Sequence, residues 1–566
     1  PESVRGMIER KIAQLSEEDR KLLTCASVQG YEFDSAVVAQ VLSLDADEVE
    51  ERLEKLERVF AFVKLTSEAE FPNRTLTLKY RFVHVLYQNA LDGALRVTRR
   101  VSLSKAVVQT LLDFYGEAKT FIASELARLF EVARDWTQAV EFYLLASQQA
   151  SKVFANAEAI VLAQRGLELL KSLPDTPQRT QQELALELTR GMALSGTRGY
   201  AAPETGASYA RARELCQEAS TAPELLPVFW GGWGFYAVAG ALDSARQIGE
   251  QFVQMAQKIG DRGMLTAAHQ ALGSTWVFIG ELVASRENLE LSISFYDPTT
   301  NQANRSRLGL DPGIYCLTQF VRTLWLLGYP DQARQRLQQA FALSRESGDI
   351  RGLAYTQFQA VDFHSYVREY EQAQSWLEKC VAHCNEHDIA QERAWVTAFG
   401  GSAVAAQGET EKGIAMIRDT IAVLEEMGAR VALTQFHTML AQLLGEAGKT
   451  EEALATLTEA MQLSARMNEN YFNAEIQRLK GELLLKTGAT AQEAEACFHQ
   501  AIETAQQQSA KSWELRATMS LARLWQQQNK IAEAQQMLTT IYGWFTEGFD
   551  TADLQDAKTL LDELQR

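Results

Sequence analysis

Residues 432–467 read ALTQFHTMLAQLLGEAGKTEEALATLTEAMQLSARM, and this stretch decides the fold. Apolar residues recur at spacings of three and four on both sides of Gly448, so we predict two amphipathic helices joined at that glycine. A helix with a single apolar stripe cannot bury that stripe alone. The stretch therefore predicts a helical hairpin that needs similar hairpins packed on either side of it.

The hairpin recurs along the chain with a period of about 40 residues. The small residues that open the second helix of each unit are Ala245, Ser285, Ala333, Ala373, Gly413, Ala453, Ala494 and Ala534. The turn residues that precede them are Gly240, Gly280, Gly328, Arg368, Gly408, Gly448, Gly488 and Asn529. Bulky residues follow the small ones by four positions, at Leu337, Leu377, Ile417, Leu457, Phe498 and Leu538. The residues three positions further on are Ala340, Cys380, Thr420, Ala460, Ala501 and Ile541. These spacings place all of them on one helical face.

One unit resembles the tetratricopeptide repeat (TPR) consensus in the order and spacing of its key residues. The matching positions are Leu272, Gly273, Trp276, Gly280, Ser285 and Leu289. A period near 40 instead of the usual 34 implies longer helices in the same arrangement. A HEAT-type solenoid is the alternative, and the small residue after each turn favours the TPR-like interpretation. The fold class is therefore mostly α, with a small winged-helix domain followed by an α-solenoid of TPR-like hairpins.

We divide the chain into four parts: a winged-helix domain at 1–104, irregular TPR-like hairpins at 105–222, a regular array at 223–549 and a C-terminal capping helix at 550–566. One interval in the array exceeds the period by eight residues. The excess falls in DPTTNQANRSRLGLDPG (297–313), which is rich in Asn, Thr, Pro and Gly. Such a composition predicts an extended loop.

The first hundred residues lack the period. Capping residues Ser16, Asp34 and Asp45 each precede a predicted helix. VFAFVKLT (59–66) and TLTLKYRF (75–82) alternate like two strands around the loop SEAEFPNR (67–74). Three helices followed by a hairpin is the order of a winged helix.

The charge of the third helix opposes DNA reading by this domain. Residues 45–58 hold seven acidic and three basic side chains. A net negative charge on the would-be recognition helix opposes approach to phosphates. A module that packs against protein is the interpretation we favour.

Three segments resemble the winged-helix part of STAND-class signal-transduction ATPases. They are PESVRGMIERKIAQLSEEDRKLLTCASVQGYEFD (1–34), LERVFAFVKL (56–65) and YRFVHVLYQNAL (80–91). The stretches at 478–525 and 542–564 are similar to bacterial members, many of which carry adenylate or guanylate cyclase domains. The resemblance implies a nucleotide-binding core upstream, with ATP or ADP as the cofactor of the full-length protein and none in this chain. It also implies that His84 contacts the nucleotide phosphate, although the family's His-Asp pair reads His84-Val85 here. A core or helix-capping role for His84 stays open.

Three other motifs admit a functional and a structural interpretation. GEAGKT (445–450) ends like a P-loop but lacks the first glycine and the preceding strand, so we interpret Gly448 as a turn glycine. KCVAHCNEH (379–387) carries zinc-type ligands, yet they spread too far along one helix to reach a single ion, and core packing is favoured. FWGGWGFYAVAG (229–240) is either a tightly packed core helix or an aromatic groove for a ligand.

The composition argues against several classes of function. A formal net charge of -18 opposes nucleic-acid and anionic-membrane binding, and no apolar run approaches the ~20 residues of a membrane span. Six scattered cysteines show no disulfide framework, so we expect a cytoplasmic protein. The chain opens with Pro1, so we expect part of a longer protein. We find no catalytic constellation and no metal site, and predict no enzymatic activity for this chain.

The resulting hypothesis is a regulatory sensor. A protein, peptide or small-molecule effector would bind the concave face of the solenoid, and the winged helix would couple this to nucleotide state and oligomerisation. The alternative is a constitutive TPR scaffold that docks protein partners without nucleotide control. Counting back from each turn, the candidate partner-binding positions are Trp230, Gln270, Ser274, Arg322, Trp325, Phe358, Asp362, Gln442 and Arg478.

Overall fold

The computed structural model describes residues 2–153, 155–216 and 222–565. It divides into two compact units, Pro1–Ala193 and Leu194–Arg566. The prediction of a mostly helical, TPR-like solenoid is confirmed.

The first unit begins with helices packed around a small sheet. Its first elements are α1 (Glu2–Ala13), α2 (Glu17–Gln29), β1 (Glu32–Asp34), α3 (Ser35–Leu42), α4 (Ala46–Arg58), β2 (Val63–Glu70), β3 (Leu76–Phe82) and α5 (Val85–Gly93). The sheet is antiparallel in the order β1-β3-β2, with Phe33 opposite Tyr80 and Val63 opposite Phe82. Sequence reasoning missed β1, which is only three residues long.

The β2–β3 hairpin differs from the prediction in its boundaries. Strand β2 starts four residues later than expected and runs through 67–70, which were predicted to be loop. The pairing register shifts between Leu65 and Ser67, so Thr66 forms a bulge and its Oγ1 donates a hydrogen bond to the Lys79 carbonyl at 2.9 Å. This one-residue shift changes which side chains of β2 face each side of the sheet, and it lets the hairpin continue to Glu70.

Apolar faces of α2, α3 and α4 close over the sheet. Leu22, Val38, Leu53, Phe62 and Phe82 are all fully buried in one cluster. Helix α4 turns Val49, Leu53 and Leu56 inward and keeps most of its acidic residues outside. This amphipathic division explains why so acidic a helix packs stably.

The rest of the first unit is helical. The elements are α6 (Val97–Tyr115), a 3₁₀ segment (Gly116–Ile122), α7 (Ala123–Val132), α8 (Trp136–Lys152), α9 (Asn156–Leu170) and α10 (Pro177–Thr197), the last of which continues into the second unit. Their second core includes Leu126, Ala139 and Ala163, each fully buried. They lie partly within 105–222, the range for which the sequence predicts irregular hairpins.

The second unit contains the regular array. Helices that stand first in their hairpins are α12 (Ala222–Val238), α14 (Arg262–Ile279), α17 (Pro312–Leu326), α19 (Ile350–Tyr366), α21 (Ala390–Ala406), α23 (Leu433–Glu446), α25 (Asn473–Lys486) and α27 (Lys511–Gln527). Their partners are α13 (Leu242–Ile259), α15 (Leu282–Phe295), α18 (Pro330–Ser347), α20 (Tyr370–Glu386), α22 (Thr410–Glu426), α24 (Thr450–Met467), α26 (Ala491–Gln507) and α28 (Ile531–Tyr542). The remaining helices are α11 (Pro203–Leu215), α16 (Pro298–Leu308) and α29 (Ala552–Leu564), the last lying where the sequence predicts the C-terminal cap.

The prediction of an extended loop at 297–313 is wrong over most of its length, because α16 occupies it. Proline is favoured in the first turn of a helix, and Pro298 stands there. Leu308 and the following Leu310 are buried in one cluster with Trp230 and Trp233. Burial against other parts of the fold stabilises a helix in this segment, although its composition is typical of a loop.

The predicted turn residues adopt the left-handed backbone conformation at every hairpin of the array. The φ values are 75° at Gly240, 97° at Gly280, 92° at Gly328, 62° at Arg368, 93° at Gly408, 77° at Gly448, 78° at Gly488 and 59° at Asn529. Glycine and asparagine tolerate this conformation, and Arg368 adopts it because the fold fixes the turn.

The small residues after the turns are buried without exception, and so are the bulky ones that follow them. Ala245, Ala333, Ala453 and Ala534 have no exposed surface at all. At Gly413 even a Cβ would lie 2.4 Å from the Gly401 carbonyl oxygen. These positions let the two helices of a hairpin approach closely, as the period predicts.

Within the second unit the array winds back onto itself. The Val238 carbonyl accepts a hydrogen bond from the Arg430 backbone N–H at 2.8 Å, and the Phe278 carbonyl accepts one from the Asn470 N–H at 2.9 Å. The Ser512 hydroxyl donates to the Trp325 carbonyl, 187 residues away in sequence. With a 40-residue period, the inner ends of hairpins nearly five repeats apart therefore touch. The array is a tight superhelix whose successive turns contact each other.

Among the residues described, none of the helices combines the length and apolar character needed to cross a bilayer.

Candidate functional site

Two cavities lie on the inner wall of the superhelix. The first, with a cavity volume of about 60 Å³, is termed the aromatic chamber. Its aromatic lining residues are Tyr200, Trp230, Trp233, Phe278, Tyr315, Tyr355, Phe358, Trp395 and Phe399, and its polar ones are Ser274, Thr275, Arg322, Arg351, Gln391 and Glu392. The mixture of rings with a few polar groups is typical of small-molecule sites, but the volume is well below the roughly 300–1,000 Å³ of such sites.

The rings of the chamber pack mainly edge to face. Tyr315 stands at 79° to Tyr355 with 4.5 Å between centroids, and it meets Trp230 and Trp233 at 6.2 and 6.1 Å. On the other side Phe358 lies 5.1 Å from Tyr355. Such contacts hold each ring in a defined orientation. The walls are therefore preorganised.

The polar groups of the chamber are mostly paired with each other. The Arg351 Nε donates to Glu392 Oε1 at 2.7 Å, with the Glu392 side chain 2% exposed. The Trp233 Nε1 donates to the Thr275 hydroxyl at 2.9 Å. Trp395 differs, since its buried Nε1 has no hydrogen-bond partner within the part of the chain that the structure describes.

A buried ion pair forms the wall between the chamber and the second cavity. Arg322, which lines the chamber, donates from Nε and Nη2 to Asp362 Oδ2 at 3.1 and 2.9 Å. Asp362 lines the second cavity, and both side chains are almost fully buried. Gln359 and Gln435 donate further hydrogen bonds to the carboxylate at 3.1 and 3.0 Å. Full pairing of this kind is what makes a buried charge tolerable.

The network continues to the hairpin two repeats further along the chain, where Gln435 lies on α23. The Gln435 amide donates to the Tyr366 hydroxyl at 2.9 Å, and the Tyr471 hydroxyl donates to Gln435 Oε1 at 2.7 Å. Burial raises the pKa of both tyrosines well above the ordinary value, so they stay protonated donors. Polar contacts thus join hairpins that lie far apart in sequence.

The second cavity, with a volume of about 260 Å³, is termed the charged cavity. Its ionisable lining residues are Asp362, Arg368, Tyr366, Tyr370, Glu475, Arg478, Glu482, Arg516, Arg523, Asp553 and Asp556. Arg478 pairs with Glu475 at 2.6 Å, and Arg516 pairs with Asp553 at 2.8 Å. Burial acts to raise the pKa of Glu482, but the Arg478 guanidinium outweighs it and lowers that pKa. This cavity suits a polar occupant.

The nine positions predicted to bind a partner fall into three groups. Trp230, Ser274, Arg322 and Phe358 line the aromatic chamber, and Asp362, Gln442 and Arg478 line the charged cavity. Gln270 and Trp325 are in the walls of neither. Seven of the nine are at most 3% exposed, the partly exposed ones being Gln442 and Arg478. The inner helices therefore do not offer an open concave groove at these seven positions, because other inner side chains cover them.

Trp325 shows how the covering works. Its ring stacks on Tyr366 at 4.2 Å and meets Trp513 edge to face at 4.8 Å. The Arg516 guanidinium lies 5.2 Å from the rings of both tryptophans. A residue placed on the inner face by TPR geometry has become part of a core between two turns.

His84 stands where sequence analysis places it, between β3 and α5. Its Nδ1 accepts a hydrogen bond from the Leu86 backbone N–H at 3.1 Å and so caps α5. In a neutral ring this assigns the proton to Nε2. The side chain is exposed and flanked by three exposed apolar residues, Val83, Val85 and Leu86.

The cysteine–histidine motif packs inside its hairpin. Cys380 and Cys384 are fully buried with their sulfurs 3.9 Å apart, and His383 Nε2 lies 2.8 Å from the Ile350 carbonyl oxygen. Within residues 2–153, 155–216 and 222–565, side chains do not form a group of three or more metal-type ligands. In the aromatic motif Gly231 allows close packing, since a Cβ there would lie 2.0 Å from the Tyr209 ring.

Comparison with known proteins supports the repeat assignment. The family model described as tetratricopeptide repeat matches residues 321–339 and 434–458, which fall on the α17–α18 and α23–α24 hairpins. The chain is also 23% identical over 466 residues to an uncharacterized protein of Rhizobium meliloti (strain 1021). That match covers 80% of this chain and 44% of the relative, so the chain spans less than half of the relative's length.

Solved structures to which the chain is similar include the following two. One is a Signal Transduction ATPase with Numerous Domains (STAND) protein with a tetratricopeptide repeat sensor from Pyrococcus horikoshii, at 13% identity and a TM-score of 0.45, covering 85% of this chain and 67% of that one. The other is a Rap protein complexed with Competence and Sporulation Factor, at 14% identity and a TM-score of 0.43, covering 70% of this chain and 99% of that one. The chain contains TPR-like repeats, a fold suited to protein interaction.

Proposed function

We propose that this chain is the sensor and interaction part of a cytoplasmic STAND-type signalling ATPase, without catalytic activity of its own. An effector binds inside the superhelix, and the N-terminal winged helix couples that event to the nucleotide state and oligomerisation of the full-length protein. The observation that carries the proposal is the inner wall itself. It encloses two lined cavities, and contacts between successive superhelical turns hold it closed.

An effector can act only if it binds one state of the sensor better than another. The contacts that close the superhelix include the hydrogen bonds from Arg430 to Val238 and from Asn470 to Phe278. An occupant of either cavity that requires wider spacing between the turns would favour an open state. Opening would also expose the buried inner helices to a protein or peptide partner.

The region around His84 supports a docking role for the first unit. Exposed apolar side chains at Val83, Val85 and Leu86 surround a histidine whose Nδ1 is already used as a helix cap. The remaining ring proton, on Nε2, suits a phosphate oxygen supplied by another domain. Where a nucleotide is bound by that domain, it supplies the phosphate; this chain contributes the donor and the apolar rim.

Nucleotide retention by the full-length protein tests this role. We expect His84→Ala to speed the release of bound ADP at least tenfold, because the phosphate loses a hydrogen-bond donor. His84→Asn is the informative companion, since asparagine can still cap α5 but lacks the ring Nε2. Faster release in both variants supports the phosphate contact, whereas an effect of His84→Ala alone assigns the residue to helix capping. Unchanged release in both contradicts nucleotide control and leaves a constitutive TPR scaffold as the function.

A further inference from the structure

A large groove lies within the first unit, between α1, α2, α5 and the start of α6, and is termed the α1–α6 groove. Its cavity volume is about 1330 Å³. The larger apolar side chains that line it include Ile8, Ile12, Leu42, Leu91, Leu95 and Leu103. Small-molecule sites usually measure about 300–1,000 Å³. The groove is therefore larger than such sites usually are, and a structural element of another protein fits it better.

The walls of the α1–α6 groove are helices whose lining residues repeat at one turn of a helix. Ile8 and Ile12 stand four residues apart on α1, and Arg99 and Leu103 stand four apart on α6. Residues at this spacing form one continuous face. A helix with its side chains is about 10–12 Å wide and rises about 5.4 Å per turn, so the cavity holds roughly two to three turns of one. The size and the apolar walls suit a helix that docks through one apolar stripe.

The groove is basic, although the whole chain carries a formal net charge of -18. Its charged lining residues are Glu9, Arg20, Lys21 and Arg99. Lys21 is paired with Glu17 at 3.0 Å, whereas neither arginine forms an ion pair with a residue that the structure describes. Both arginines are exposed. Carboxylates of a docked partner would pair with these two guanidinium groups.

Arg99 stands at a position where its own helix disfavours a cation. It is the third residue of α6, which has no acidic residue in its first turn and no side-chain capping bond from Arg96. The N-terminal end of a helix carries partial positive charge, so a cation there is unfavourable and an anion is favoured. A carboxylate on a partner would meet both the Arg99 guanidinium and the positive end of α6.

We propose that the α1–α6 groove docks an amphipathic helix of a partner protein, with large apolar side chains along one stripe and glutamate or aspartate along its flank. The stripe lies on Ile8, Ile12 and Leu103, and the acidic flank meets Arg20 and Arg99. This inference goes beyond the proposed function, because it requires neither an effector inside the superhelix nor a nucleotide at His84.

Two designed peptides test the proposal as a matched pair. Both are fluorescein-labelled helices of about five turns with leucine at i, i+3, i+4 and i+7, and their flanks carry glutamate in one and glutamine in the other. Fluorescence anisotropy measures their binding to the 566-residue chain. We expect the acidic peptide to bind at least tenfold tighter than its match at low salt. The advantage should shrink as salt is added, because ions screen exposed charges.

Three variants locate the effect. Arg99→Glu should weaken binding of the acidic peptide at least tenfold, leave the glutamine peptide within twofold and not lower the melting temperature, since a glutamate suits the first turn of α6. Ile12→Asp, in the apolar wall, should weaken both peptides. Arg58→Glu makes the same charge change on the exposed surface of α4, none of whose residues line the groove, and should leave both affinities within twofold.

Three outcomes overturn the proposal: no saturable binding of the acidic peptide, equal affinities for the two peptides in the wild type, or a preference that survives Arg99→Glu. Vesicles of phosphatidylglycerol provide a further arm. Vesicle binding that Arg99→Glu abolishes, without binding of either peptide, would assign the groove to a membrane surface and also overturn the proposal. None of these measurements involves nucleotide or a superhelix effector, so they are distinct from failure of the sensor function.

Discussion

Arg322 and Asp362 stand one repeat apart, on α17 and α19, and form an ion pair with side chains only 2% and 1% exposed. The Arg322 guanidinium also lies 5.3 Å from the Phe278 ring. Because Asp362 is bonded in turn to Gln435, the pair links adjacent hairpins to the hairpin two repeats beyond Asp362. It is the centre of the polar network that fixes the inner wall.

Removing one partner of this pair should be far more costly than removing both. We expect Asp362→Ala to lower the free energy of unfolding by about 3–5 kcal/mol, since Arg322 would keep a buried charge without a partner. The double variant Arg322→Met/Asp362→Leu should lose much less. Urea denaturation of the chain gives both values.

A surface pair is the matched control. Arg418 and Glu452 also belong to neighbouring hairpins, but their side chains are each 52% exposed. Glu452→Ala should cost less than about 1 kcal/mol. Equal losses for Asp362→Ala and Glu452→Ala would contradict the assignment of Arg322 and Asp362 to a buried network.

Glu469 should make the superhelix less stable as the pH rises. Burial raises the pKa of this carboxyl from 4.5 to about 7, while hydrogen bonds from the Ala432 and Thr434 backbone N–H groups oppose the shift. Between those two pKa values the folded state binds more protons than the unfolded state, so stability falls with rising pH. The shift corresponds to about 3 kcal/mol lost between pH 4.5 and 7.

Glu469→Gln removes this titration and keeps an oxygen acceptor for the Ala432 N–H. We expect the variant to be more stable than the wild type at pH 8, and the difference to shrink toward pH 5. Thermal unfolding at intervals of one pH unit measures it. A stability difference that stays constant across this range would show that Glu469 does not titrate there.

Glu547 caps a helix more than 200 residues before it. Its Oε1 accepts hydrogen bonds from the Asp331 and Gln332 backbone N–H groups at 2.9 and 3.0 Å, at the start of α18. In return the Gly548 N–H donates to Asp331 Oδ2 at 3.1 Å. The N-cap residue of α18, Tyr329, makes no side-chain capping bond, so the distant glutamate takes this role.

Glu547→Ala should therefore loosen the first turn of α18 and cost about 1 kcal/mol. Hydrogen exchange of the Asp331 and Gln332 amides should accelerate severalfold. Glu533→Ala, an exposed glutamate on α28, provides the comparison and should leave those amides unchanged. Protection that persists in Glu547→Ala would mean that other contacts hold this end of the array.

The left-handed turns should be sensitive to backbone conformation alone. Gly488 has φ of 78° and open space where a Cβ would stand, so Gly488→Ala should cost about 1–2 kcal/mol purely through strain. Gly232 lies inside α12, where a Cβ would meet only Ile248 at 3.8 Å. Gly232→Ala should be neutral or stabilise by up to about 1 kcal/mol. Opposite signs in thermal unfolding confirm the distinction; equal effects contradict it.

Local chemistry made the hairpins predictable. The turn at Gly448, the small residue at Ala453 and the bulky Leu457 all act within a few residues of one another, so their spacing reads directly as helix, turn and helix. The position of His84 was predictable for the same reason, because the end of a strand and the start of a helix are both marked by local sequence patterns. Prediction from local patterns failed at β1, at Thr66 and at residues 298–308, because pairing or burial against distant residues determines the structure there.

The sequence by itself determined the period, the turns and the face that each helix buries, because these depend on contacts between near neighbours along the chain. Only the tertiary structure decided that the inner faces meet, that Glu547 caps α18 and that the Trp395 Nε1 is buried without a hydrogen-bond partner among the described residues. The small rotation from one repeat to the next accumulates over nearly five repeats, and no single repeat encodes where the turns will touch. That accumulated geometry turned the predicted open groove at Trp325 and Asp362 into a closed inner wall.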